Sequence, residues 1–147
     1  MQIAHDAVVL VADGRKMLFL RNAGDATHPN LQVEENREQD SDATRDQGTD
    51  APGRSFSSVG PGRSAYEQTD FHQLDEDRFA AEAAEMLKKR ALGNDFESLI
   101  VVAPPRTLGE LRKHYHVTVS DRLTGEINKD LTGHTIPQIE EAVASAD

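Results

Sequence analysis

The stretch V-V-A-P-P-R-T-L-G-E-L-R-K, Val101–Lys113, decides the architecture. It ends a longer run, F-E-S-L-I-V-V-A-P, that is short, continuous and rich in β-branched residues. Such a run reads as a central strand covered on both faces. Pro104 and Pro105 stop it, because neither can donate a ladder hydrogen bond. Thr107 and Glu110 form a T-x-x-E pattern, which predicts a capped helix from Thr107 to about Tyr115. A buried strand passing straight into a helix puts the chain in the α/β class. In open sheets of that class, ligand sites gather beyond the C-terminal ends of the strands. The free N–H groups of the helix favour anions there, so Arg106 and Arg112 are candidate anion contacts. The plainer reading is a strand-to-helix corner whose arginines pair with acids elsewhere.

Upstream, D-A-V-V-L-V-A-D-G-R-K-M-L-F-L-R-N holds two apolar runs joined at Asp13-Gly14. The dipeptide predicts a type I′ hairpin with strands over Asp6–Ala12 and Arg15–Arg21. The run from Asp75 to Asp95 reads as a helix, with Phe79, Ala83, Met86 and Leu87 on one face. Asp75, Glu76 and Asp77 at its start and Lys88, Lys89 and Arg90 near its end complement the helix dipole. Gly93-Asn94 is a stop signal. Residues His116 to Leu123 support no single assignment. T-G-E-I-N-K-D reads as a short strand near an edge. Thr135 and Gln138 form a second capping box with Pro137 in the first turn, and the last helix runs to about Ser145 with Ile136, Ile139 and Val143 inward. The order β-β-insertion-α-β-α-β-α predicts a mixed sheet of about four to five strands with helices on its faces.

The chain of 147 residues suits one domain over 1–147. Residues 23–74 stand apart as a long insertion: ten acidic and four basic residues supply six of the ten net negative charges. The apolar residues there show no period, which predicts a flexible segment too polar to bury itself. With no cysteine, disulfides and thiolate zinc sites are excluded and a reducing compartment fits. No run approaches the roughly 18 apolar residues of a membrane span, and the start lacks a basic leader region. The expectation is a cytoplasmic protein with no membrane partner. A net charge of -10 argues against autonomous binding to a phosphate backbone, without excluding a local basic patch.

Few motifs carry chemistry. The histidines are His5, His28, His72, His114, His116 and His134. Only His114 and His116 are close, and two-residue spacing on a helix separates their side chains. Asp13 and Asp130 are the carboxylates a metal-dependent nuclease would recruit, but such chemistry needs several converging on cations. Asp13 is better explained by its Asp-Gly turn. In K-D-L-T-G, Lys129 is a candidate anion contact, and Asp130 either pairs with Arg106 or Arg112 or bonds its own backbone. Ser57, Ser58 and Ser64 lack a nucleophile-elbow context. No phosphate-cradling glycine loop is present, and no catalytic residue, metal or cofactor is implied.

Four blocks, V-V-L-V-A-D-G-R-K-M-L-F-L, D-E-D-R-F-A-A-E-A-A-E-M-L, F-E-S-L-I-V-V-A-P-P-R-T-L-G-E-L-R-K and G-E-I-N-K-D-L-T-G-H-T-I-P-Q-I-E, resemble the bacterial host attachment protein family. That family is grouped with bacterial counterparts of the archaeo-eukaryotic release factor, by similarity to its middle domain. The resemblance implies an α/β fold of ribonuclease H-like topology. In the release factor, a long loop before a long helix carries a Gly-Gly-Gln motif that reaches the peptidyl-transferase centre. Here the insertion occupies that place without a Gly-Gly-Gln. The nearest counterpart is a loop tip of Gly60, Pro61, Gly62 and Arg63, with Arg63 where the glutamine would stand; the alternative is a solvated turn.

Three functions follow. The first is a non-enzymatic binding domain around the ribosome or tRNA, with Arg63, Arg106, Arg112 and Lys129 as contacts and the loop ordering on binding. The second is a protein-interaction module in host association or stress response, whose acidity suits a basic protein partner. The third is a metal-dependent hydrolase on a ribonuclease H-like scaffold.

Overall fold

A computed structural model describes residues 1–39 and 61–146, with backbone alone over 61–73. In chain order the elements are β1 (Val8–Ala12), β2 (Lys16–Asn22), β3 (Leu31–Glu38), α1 (Pro61–Leu92), β4 (Leu99–Ala103), α2 (Pro105–His114), α3 (Val117–Ser120), β5 (Leu123–Asn128) and α4 (Ile136–Ser145). One sheet runs β3-β2-β1-β4-β5. β1 pairs antiparallel with β2, and β2 antiparallel with β3. β1 with β4 and β4 with β5 are parallel. This is the expected mixed α/β sheet, in ribonuclease H-like order.

The two strands with wholly apolar sequences, V-V-L-V-A and L-I-V-V-A, take central positions and are buried throughout. Period-two alternation splits their side chains between two cores. Val8, Leu10, Ala12, Phe19, Leu99 and Val101 meet Phe79, Ala83 and Leu87 of α1, Leu108 and Leu111 of α2, and Val119 of α3. Val9, Val11, Leu20, Ile100, Val102 and Ile127 meet Ile139 and Val143 of α4, with Ile3 and Leu31 at the margin. Each fully buried leucine, isoleucine or phenylalanine contributes about 1.5–3 kcal/mol.

Several expectations change in detail. The hairpin turn is not type I′ on Asp13-Gly14, because Asp13 does not have positive φ. Asp13 holds the first corner, and its Oδ1 accepts the N–H groups of Arg15 at 2.7 Å and Lys16 at 2.6 Å. The side chain closes the turn, so no left-handed pair is needed. β1 starts at Val8, since Asp6 lies in the left-handed region at φ 65. α2 starts at Pro105 with Pro104 as its N-cap, and no side chain caps it. The Thr107–Glu110 box therefore does not form. Proline fits the first helical position, where no N–H partner is required.

Within the expected insertion, β3 pairs with β2 over Leu31–Glu38. Only Leu31 of that strand is buried, so alternation could not mark it. α1 begins at Pro61, well before Asp75, and Pro61, Gly62 and Arg63 stand in its first turn. Their side chains, and Gly60 with the rest of 40–60, lie outside the described residues; so do Ser57, Ser58, and the side chains of Ser64 and His72. Between His116 and Leu123 the chain forms the short helix α3, capped by His116 Nδ1 accepting from Thr118 N.

The predicted C-terminal stop of α1 and the predicted N-terminal cap of α4 form. Asn94 adopts φ 57, with Asp95 N bonded to Arg90 O and Asn94 N to Ala91 O, which completes a left-handed C-cap. The Thr135–Gln138 capping box is reciprocal. Ile139 and Val143 are buried, and Ile136 is partly so.

Two polar clusters tie the far end of the sheet. Asn22 is fully buried: its Nδ2 donates to Ile3 O, Ala4 O and Asp25 O, and its Oδ1 accepts from Gly24 N and Asn30 N. Arg21 and Arg90 share Glu34 and Asp95, Arg90 also holds Glu35, and its guanidinium lies 3.8 Å above the Phe19 ring.

Candidate functional site

The parallel strands β1, β4 and β5 end on one side of the sheet, and most sequence candidates lie there. β1 runs out into Asp13, β4 into Pro104 and Arg106, and β5 into Lys129–Thr132. Asp13 and Asp130 do come together. Thr132 Oγ1 lies 2.8 Å from Asp13 Oδ2 and 2.9 Å from Asp130 Oδ1, and Thr132 is buried. Asp130 thus bonds locally and pairs with neither Arg106 nor Arg112. One hydroxyl proton is shared between the two carboxylates, and backbone amides hold each further: those of Arg15 and Lys16 on Asp13, and that of Thr132 on Asp130. Among the described residues, no three His, Asp or Glu side chains converge to hold a metal ion.

Arg112 is engaged, as the plainer reading of the corner expected. Its Nε and Nη2 donate to Glu126 Oε1 at 3.1 and 2.8 Å, and the pairing raises its pKa. Tyr115 packs at the same spot: burial, then the Glu126 charge, hold its phenol well above the ordinary range. A phosphate would have to displace Glu126 to take Arg112. Arg106 and Lys129 are exposed and make no ion pair among the described residues. His114 is exposed at the end of α2, while His116 is committed to capping α3, so the two do not form a joint site. Among the described residues, no helix is long and apolar enough to cross a membrane.

Sequence reasoning passed over two residues on α2. Leu108 and Leu111 are its buried side chains, so the opposite ridge carries Arg106, Gly109 and Lys113 at helical spacing. Lys113 Nζ donates to Glu110 Oε1 at 2.8 Å. A Cβ built on Gly109 would meet nothing within 4 Å. The signal was present as the three- and four-residue spacing around the two leucines. It was masked by placing the helix start at Thr107.

No curated protein matches the chain. The match to known families lies among the bacterial relatives of the archaeo-eukaryotic release factor, which is where the resemblance pointed, and host attachment forms no part of its description. The profile of bacterial archaeo-eukaryotic release factor family 12 matches residues 6–143, nearly the whole chain, and the protein belongs to that family.

Proposed function

We propose that this protein is a non-enzymatic binding domain that works at the ribosome or on tRNA. The observation that carries the reading is family membership over residues 6–143 in a chain with no Gly-Gly-Gln. A release-factor-like fold without the residue that reaches the peptidyl-transferase centre keeps the means to dock and loses the means to hydrolyse. Its cations fit that role: Arg106 and Lys129 stand exposed where β4 and β5 end. The overall charge of -10 opposes contact with RNA over most of the surface, so contact is confined to a local basic area. The test is sucrose-gradient fractionation of cells producing a tagged copy, with and without ribonuclease. Co-migration with ribosomal particles that ribonuclease abolishes is expected. Recovery only at the top of the gradient would sink the reading.

The acidity favours one second reading, a module for a basic protein partner. A role in host association or stress response belongs with it. A pull-down that resists ribonuclease and enriches one basic protein would select it. Both readings place the protein in the cytoplasm.

A further inference from the structure

We infer that the outward ridge of α2, made by Arg106, Gly109 and Lys113, is the surface that meets an RNA phosphate backbone. The inference rests on the ribosome or tRNA reading above and adds to it the surface and the recognised chemistry.

Three observations converge on that ridge. The first is charge. α2 carries Arg106, Arg112 and Lys113 against the single acid Glu110, within a chain of net charge -10. Among the described helices, α2 alone has a net positive charge, matched among the strands by β2 with Lys16 and Arg21, and Arg112 of the three cations is engaged by Glu126. Arg106 and Lys113 are both exposed. They are seven residues apart, about 10 Å along the axis, enough to hold two different phosphate groups.

The second is Gly109. A glycine inside a helix weakens it relative to alanine. Among the described residues Gly109 has no compensating internal reason: its φ is not in the left-handed region, and none of their atoms would touch an added Cβ. What a bare backbone offers at an exposed ridge is close approach by something outside the molecule. Between two cations, a ribose-phosphate strand is the partner whose charge fits.

The third is orientation. Leu108 and Leu111 fix the roll of the helix by inserting into the core against α1, so the ridge points to solvent. Among the described residues, the acids acting on Lys113 are Glu110, bonded to it, and Asp77 of α1, through its charge. An exposed pair three residues apart is weak, and a phosphate can replace it.

The test uses the full chain with a fluorescent oligouridine and unmodified tRNA as probes, beside the sucrose gradient. Gly109→Gln projects a side chain into open space and improves helix propensity. It should unfold at a temperature at or above that of the unmodified protein, yet bind RNA about tenfold more weakly or worse. Arg106→Gln and Lys113→Gln should each weaken binding and lower the slope of log affinity against log salt by about one. If the unmodified protein binds RNA and co-migrates with ribosomes while all three variants bind equally well, the ridge proposal is overturned and the ribosomal reading survives. If the unmodified protein neither binds RNA nor co-migrates, both fall. A Gly109→Gln variant that unfolds at lower temperature would also overturn the proposal, because the glycine would then serve the fold.

Discussion

Thr132 donates its hydroxyl to Asp13 Oδ2 at 2.8 Å, so a residue following the last strand closes on the turn of the first hairpin. The bond crosses the sheet at the ends of β1 and β5, with β4 between them. It locks the side of the sheet from which α2 also emerges.

Thr132→Val keeps the shape and removes the hydroxyl. Asp13 Oδ2 then loses its partner beside a buried side chain. The expected cost is about 1–2 kcal/mol, read as a lower urea midpoint with an unchanged m-value. A midpoint equal to that of the parent would mean that water replaces the hydroxyl without loss.

Asn22→Leu should be far more damaging. The amide satisfies three carbonyls and two N–H groups at a fully buried position. An apolar side chain of similar size leaves them without it, at a cost of about 3 kcal/mol or more. Thermal unfolding would show a loss of several degrees, and hydrogen exchange would show early opening of residues 1–7 and 23–30.

Two glycines should respond with opposite signs. At Gly24 an added Cβ would stand 2.2 Å from His28 O and 2.9 Å from Asn30 N, both backbone atoms. Gly24→Ala therefore forces the β2–β3 connection apart, at about 1–3 kcal/mol. At Gly109 the space is open, and Gly109→Ala should stabilise by about 0.5–1 kcal/mol. Parallel denaturant titrations of the two variants check both signs.

The Glu35 carboxylate supplies a pH dependence. Burial alone would push its pKa up, but hydrogen bonds from Arg90 and Arg37 outweigh this and hold it below the ordinary value of 4.5. A depressed folded pKa means that the contribution is present above about pH 4.5 and lost as pH falls through the folded value. Glu35→Gln should lower stability at pH 7 and lose less of it on going to pH 3 than the parent does. Urea midpoints at the two pH values decide this.

Much of the fold was legible because its signals are local. V-V-L-V-A and L-I-V-V-A read as strands, the segment after Pro104-Pro105 read as a helix, and Gly93-Asn94 marked the end of one. The mostly exposed strand β3 was not legible. Its residues Gln32–Glu38 are held in the sheet by β2 and by ion pairs with Arg21 and Arg90, none of which leaves a pattern along the chain. The start of α2 was misplaced for a related reason. A T-x-x-E pattern states what a side chain can do, and Pro104-Pro105 had already set the backbone two residues earlier.

The sequence by itself determined the class of the fold, its place among the bacterial relatives of the archaeo-eukaryotic release factor and the absence of a Gly-Gly-Gln, because periodicity, turn chemistry and motifs are written in neighbouring residues. Only the tertiary structure decided which charges are available. Arg106 and Arg112 look alike six residues apart, yet the register of β4 with β5 brings Glu126 beside α2 and engages Arg112, while Arg106 stays open to solvent. Pairings between residues distant in the chain depend on how strands align, and no local pattern encodes that alignment.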